Sequence, residues 1–255
     1  MNDRRLLASQ MRADLRIFWR NPQYRYFTVA LPIVFLVIFQ AIFTGSTIVD
    51  GRPIKLTTYY VPGIMTLGII SASFVNLTVS VVTQRESGVL KRARATPVPT
   101  GVVIASRAGV GVLVALAMSA LLLAIGAIAY GVRVPGAGLV GLTLAVIVGA
   151  ASFCCLGFAF STRIGAADAA APAANLAVLP LYFISGVFIP ERQIPPFLRA
   201  VANAFPVRHL SQALLTPFIR SGAGVALGHL AIVAAWGLAG LALAALRFEW
   251  SPRTA

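Results

Sequence analysis

Six stretches of this chain carry no charged side chain at all: Tyr26–Val49, Leu56–Gln84, Ala108–Val132, Val134–Thr162, Ala169–Pro190 and Ser221–Leu246. Each is long enough to be a membrane span, since a helix needs about 20 apolar residues to cross the hydrocarbon core of a bilayer. Lipid offers no hydrogen bonds, so a spanning segment must satisfy its own backbone, which favours a helix for each run. The alternation of apolar and polar residues that marks a membrane β-barrel is absent. The sequence therefore predicts an all-α polytopic membrane protein with six transmembrane helices, over 26–49, 59–84, 104–132, 138–162, 169–190 and 221–246.

Composition agrees. Charged residues make up 11 % of the chain, against about a quarter in a soluble domain, too few to cover a water-facing surface. Intrinsic disorder is excluded because it requires low hydrophobicity, and the chain is 58 % hydrophobic. The two cysteines, Cys154 and Cys155, are neighbours and cannot staple a secreted scaffold. They read as small apolar packing residues.

The net charge of +14 suggests nucleic acid until the charges are placed. Lys and Arg concentrate in alternate connections, with 14 on one side of the predicted spans and 7 on the other. The asymmetry is greatest before the first span, at Arg4, Arg5, Arg12, Arg16, Arg20 and Arg25. Positive residues mark the cytoplasmic side. Both termini are therefore expected in the cytoplasm, the protein in the plasma or inner membrane, and much of the charge against anionic lipid, with no nucleic-acid partner. No small-residue cleavage site follows a short apolar core near the start, so the first span reads as an uncleaved anchor.

The connections carry their own patterns. Residues 1–25 form a predicted interfacial helix, with Leu7, Met11, Leu15 and Phe18 on one face and Arg5, Arg12, Arg16 and Arg20 on another. Residues 85–101 form the main cytoplasmic loop, with a short helix predicted at Val89–Ala95 between Gly88 and Pro97. By its residues alone, this loop is a solvated basic segment that fixes topology. Residues 191–220 are predicted as two short outer helices broken at Pro206. Gly131–Gly138, with Pro135, reads as a tight reversal between the third and fourth spans. Pro180 is expected to kink the fifth span. Gly141, Ala145 and Gly149 mark close helix packing.

Chemical motifs are mostly eliminated. A phosphate-binding P-loop needs Gly-Lys before Ser or Thr. The only lysines, Lys55 and Lys91, follow Ile54 and Leu90, so ATP hydrolysis would need another polypeptide. Gly136, Gly138 and Gly141 spell G-x-G-x-x-G, but no strand precedes them and no acid follows at the spacing a dinucleotide needs. His209 and His229 lack ligand spacing for a metal. Ser185-Gly186 lacks the preceding glycine of a rhomboid-type serine protease, because residue 183 is Phe. The uncharged runs argue against a proton-coupled antiporter or an ion pump, which place ionisable groups within the membrane. Asn76, with Ser73, Thr78 and Ser80, is expected to face protein or a cavity.

Arg85-Glu86-x-Gly88-x-Leu90, then Thr96-Pro97-Val98, with Arg107 opening the next span, resembles the cytoplasmic loop of type-2 ABC export permeases. Leu181–Pro190 (LYFISGVFIP), followed by Ile194-Pro195 and Ala204-Phe205-Pro206, resembles the fifth-span region of the same family. The resemblance covers nearly the whole chain and is nearest to the daunorubicin/doxorubicin-type efflux branch. It implies a transport subunit with no ATPase motif or cofactor of its own. The subunit would pair with itself or a paralogue and dock two ATP-binding subunits that carry ATP and Mg. By matching position, the loop becomes a coupling element. Arg85, Glu86, Gly88 and Leu90, and by extension Lys91 and Arg92, would lie at the ATPase contact. Residues 191–220 would cap the exit.

The resemblance further implies a substrate path along the dimer interface near spans two and five, for which Ser73, Asn76, Tyr182 and Phe183 are candidates. An uncharged path with aromatic rings suits an amphipathic drug, antibiotic or lipid-like substrate. The alternatives are a polysaccharide or lipid-glycan exporter permease, an ATP-independent secondary transporter, and an intramembrane enzyme or assembly factor.

Overall fold

In a computed structural model of the chain, residues 3–20, 26–49, 51–90, 100–219 and 222–247 are described. The charge-free runs become helices wherever their backbone can stay regular. After α1 (Asp3–Arg20) and a π turn at Tyr26–Ala30 come α2 (Leu31–Ile42) and then α3 (Leu56–Glu86), which contains a second π turn at Ser71–Val75. Next are α4 (Thr100–Tyr130), α5 (Leu139–Ser161) and α6 (Ala167–Ile184). Two shorter helices, α7 (Pro196–Asn203) and α8 (Pro206–Ile219), lead to α9 (Leu227–Arg247).

Among the described residues, five helical stretches are long and apolar enough to cross a membrane: Leu56–Glu86, Ile104–Tyr130, Leu139–Ser161, Ala167–Ile184 and Leu227–Arg247. The predicted first span is shorter than its charge-free run. Its apolar helix covers only Thr28–Ile42. Beyond Gly45, whose φ is +107°, the chain enters β1 (Ser46–Val49), which pairs antiparallel with β2 (Arg52–Lys55). The reason lies in the sequence: Asp50-Gly51 after the β-branched run Thr47-Ile48-Val49 is a strong two-residue hairpin signal, and Gly51 takes φ +75°. Absence of charge alone did not distinguish helix from strand. Among the described residues the molecule is thus mostly helical with one small hairpin, rather than purely α.

The fifth run also stops short. Its helix runs through Pro172 and Pro180 but ends at Ile184, and Gly186 turns the chain at φ +79°. The expected reversal at 131–138 and the two short helices meeting at Pro206 are both present.

Burial sets the layers. In α3, 72 % of the most apolar window is buried, against 28 % in α4, 22 % in α6 and 28 % in α9. A helix apolar all round belongs at the centre of a bundle, and α3 is that helix, with Tyr59–Ile70 buried without a break. Ile128, Leu176, Leu238 and Leu246 on the outer helices are exposed and present the apolar exterior a bilayer requires.

The most extensive helix contact joins α5 to α9. A Cβ added at Gly237 would lie 2.6 Å from Ser152 Oγ and 2.7 Å from Ser152 Cα. Likewise a Cβ at Gly149 would lie 2.5 Å from Leu210 Cδ1, and one at Gly141 2.4 Å from the Ala223 carbonyl oxygen. Small residues let membrane helices approach to where dispersion forces act.

Candidate functional site: the loop end of the bundle and the polar seams above it

The loop predicted to couple begins in the last turn of α3. Arg85 there is 1 % exposed, a costly place for a cation unless every donor is used. Its Nε donates to Glu86 Oε1 at 2.7 Å, Nη1 to the Ser161 carbonyl at 3.1 Å, and Nη2 to the Ile164 carbonyl. Ser161 is the last residue of α5, where carbonyls lack helical partners and the helix dipole is negative. The planar guanidinium therefore caps α5 and clasps the α5–α6 link to α3. Glu86 completes the neutralisation with a side chain only 10 % exposed.

Gly88 then reverses the chain at φ +70°, its N–H donating to the Arg85 carbonyl at 3.0 Å. Leu90 returns to the bundle, buried with Leu77, Val81, Cys154, Phe158 and Ala244, while Val89 is exposed. The sequence grouped Arg85, Glu86, Gly88 and Leu90 by position in the loop. The structure turns Arg85 and Leu90 into the bundle and leaves Ser87 and Val89 outermost. Lys91, Arg92 and most of the predicted Val89–Ala95 helix lie outside the described residues.

A polar seam rises from this end between α1, α3 and α4. Asp14, Asn76, Ser80, Gln84 and Arg107 line a cavity of about 70 Å³. Ser106 Oγ donates to Asp14 Oδ2 at 2.6 Å, Arg107 to Gln84 Oε1, and Gln84 Nε2 to Ser80 Oγ at 2.9 Å. Burial pushes the Asp14 carboxyl above the usual carboxylate range, partly offset by the Ser106 hydrogen bond and the Arg107 charge. Asp14 was missed in the sequence because it was one acid on a basic helix. The clue was its place on the same face as Leu7 and Met11.

That face packs on α4, where an interfacial helix was expected to turn it to the lipid boundary. Residues 6, 7, 10, 11, 14 and 15 are partly buried, and Arg12, Arg16 and Arg20 are exposed. A Cβ at Gly109 of α4 would lie 2.9 Å from Met11 Cε.

The four candidate path residues separate. Ser73 is buried, and its hydroxyl donates to the Ile69 carbonyl one helical turn back. Asn76 lines the polar cavity and donates to Thr28 Oγ1. Tyr182 faces into the bundle and Phe183 outward, 45 % exposed. Both rings touch Phe188, at centroid distances of 5.8 and 5.2 Å.

The opposite end carries a polar knot that the sequence did not reveal. Tyr59 donates to the Gly186 carbonyl at 2.6 Å. Glu191 pairs with Arg208 at 3.1 Å and accepts from Gln212 Nε2. His209 Nδ1 and His229 Nδ1 lie 2.9 Å apart, tying α8 to α9. No side-chain partner reaches the buried Ser185 Oγ among the described residues, so no base stands ready to activate it.

The arrangement is a lipid-facing helical bundle with a buried cation clasp under its main loop. A sequence model of the ABC-2 type transporter family matches residues 6–219. The chain belongs to the ABC-2 type transporter family. It is 24 % identical over 204 residues to an inner membrane transport permease of Escherichia coli K12, YadH, covering 77 % of this chain and 79 % of that one. It is 26 % identical over 218 residues to the daunorubicin resistance ABC transporter permease protein DrrB1 of Streptomyces coeruleorubidus, covering 81 % and 75 %. These similarities agree with the drug-efflux branch. As an ABC-2 member with several membrane-length helices, the chain is a multi-pass membrane protein and the membrane subunit of an ABC transporter. In this family such subunits work in general with ATP-binding partners and as dimers.

Proposed function

We propose that this chain is the permease subunit of an ATP-driven exporter that moves an amphipathic drug, antibiotic or lipid-like molecule out across the plasma membrane. ATP and Mg belong to a separate ATP-binding subunit, present in two copies, and a second permease copy or paralogue completes the path. Thr28–Ile42 serves as a sixth, short span beside the five longer ones. Both termini and the 85–101 loop face the cytoplasm, and α7 and α8 face outward.

The observation that carries this reading is the double anchorage of the loop. Arg85 locks its first residue to the end of α5, and Leu90 locks it to α3, α5 and α9. Transport work requires that closure of the ATPase dimer bias a membrane dimer between two arrangements. A floppy loop would absorb that movement. A loop pinned at two points on different helices passes it to the ends of α3 and α5 together. The exposed Ser87 and Val89 form the contact surface available beside Glu86.

The test is reconstitution in liposomes with an ATP-binding subunit, sought first among the neighbouring genes. Amphipathic compounds should raise ATP hydrolysis and accumulate in inside-out vesicles only when ATP is present. Glu86→Ala and Val89→Asp should uncouple hydrolysis from transport. Full transport and full stimulation in both variants would remove the coupling role from this loop, and transport without any ATPase would remove the exporter reading.

A further inference from the structure

A second cavity, of about 260 Å³, lies away from the polar seam, between α5, α6 and α9. It is apolar and aromatic, lined by Phe74, Phe153, Phe160, Leu181 and Trp236, with one charge, Arg163. Phe74 lies 5.4 Å from Phe160 and 6.5 Å from Phe153, while Phe205 stacks on Trp236 at 6.2 Å. These contacts fix the rings as walls.

Three features identify an occupant. Arg163 is exposed and follows α5 at the same end as the Arg85 clasp. Among the described residues it has no carboxylate partner, so its charge is available to an anion. The groove extends from Arg163 to Phe153, ten residues back along α5, or about 15 Å at the helical rise. That is about half the hydrocarbon thickness of a bilayer, one leaflet. Finally, Phe205, Pro206 and Val207, where α7 meets α8, also line the groove and extend its apolar surface for an acyl chain.

We propose that this groove holds one anionic phospholipid of the leaflet on the Arg163 side, with its phosphate on Arg163 and an acyl chain along the aromatic wall. An anionic headgroup gains from a juxtamembrane arginine, whereas a zwitterionic one brings its own cation to the same place. The acyl chain packs on the rings of Phe160 and Trp236, which are only partly covered by protein. The site is separate from the loop contact and from the Asn76 cavity, and it does not depend on the chain being a drug exporter.

Trp236 is a built-in reporter. The full chain, carrying Trp19→Phe and Trp250→Phe so that Trp236 is its only tryptophan, is reconstituted in phosphatidylcholine vesicles. Either brominated phosphatidylglycerol or brominated phosphatidylcholine is then added as a quencher. The anionic quencher should act with about fivefold higher apparent affinity, the worth of one arginine near the surface. Arg163→Gln should abolish that preference, Arg133→Gln at the opposite end should retain it, and Ala177→Phe, which fills the groove, should reduce quenching by both lipids.

Equal quenching by the two lipids would mean ordinary annular contact and would overturn the proposal. Weak quenching by both, strengthening as the protein is diluted into more lipid, would mean that a second copy of the chain covers the groove, and would overturn it equally.

Discussion

Arg85 shows how much one residue can determine in a bundle with few charges. Its fork joins Glu86 to two carbonyls at and beyond the end of α5. Removing one partner of a buried ion pair costs about 3–5 kcal/mol, because the other charge is left stranded. Arg85→Ala should therefore lower thermal stability in detergent sharply, and Arg85→Lys should not restore it, since an ammonium cannot bridge three acceptors in a plane. Arg163→Ala, at an exposed site, should stay within about 0.5 kcal/mol of the parent. An unchanged melting temperature in Arg85→Ala would show that the clasp contributes nothing.

Asp14 makes the opposite case. Burial raises its carboxyl pKa in the folded state, so the folded protein favours the protonated form more than the unfolded chain does. Its penalty is absent below the unfolded pKa, grows as pH rises, and is complete above the folded pKa. Docking of α1 on α4, read by amide hydrogen exchange, should strengthen as pH falls through the carboxylate range. Asp14→Asn, which keeps an acceptor for Ser106, should remove that dependence.

At the scale of elements, the α5–α9 contact rests on glycine. The Ser152 Cα that would lie 2.7 Å from a Cβ at Gly237 is backbone, so it cannot move aside like a flexible side chain. Gly237→Leu should push the helices apart and destabilise the protein by about 1–3 kcal/mol, as overpacked cores do. Gly228, near the start of α9, has open space around it, and Gly228→Ala should be neutral or stabilising by up to about 1 kcal/mol. Thermal unfolding of the two variants side by side separates close packing from helix propensity. The charge-free runs made most of these helices legible in the sequence, and the dense glycines marked where they pack. The β1–β2 hairpin was missed although Asp50-Gly51 signalled it, because a count of charges is blind to turn chemistry. The π turn in α3 left no sequence signal at all.

For the whole molecule, the 14 to 7 division of positive charge predicts which way the bundle sits. Ser87 and Gly136 are exposed at opposite ends. With Cys154→Ala and Cys155→Ala removing the native thiols, Gly136→Cys should react with a membrane-impermeant maleimide in intact cells. Ser87→Cys should react only after the membrane is opened. The reverse pattern would invert the topology and place the loop out of reach of any cytoplasmic ATPase. Among the described residues, four helices of membrane length around a fifth, the buried α3, fit a subunit whose outer helices meet lipid and a second permease.

By itself the sequence determined that this is a helical membrane protein, roughly where its spans lie, and the family it resembles, because each rests on local composition, periodicity or short motifs. It also placed the amphipathic face of α1 and the break at Pro206 for the same reason. Only the tertiary structure decided that Arg85 is a clasp rather than a surface contact. Its carbonyl partners are 76 and 79 residues away, and no local pattern encodes such a pairing. The same holds for Leu90, buried against α9, for Ser73, satisfied within its own helix, and for the groove beside Arg163. Each depends on which helices the close-packed bundle brings side by side.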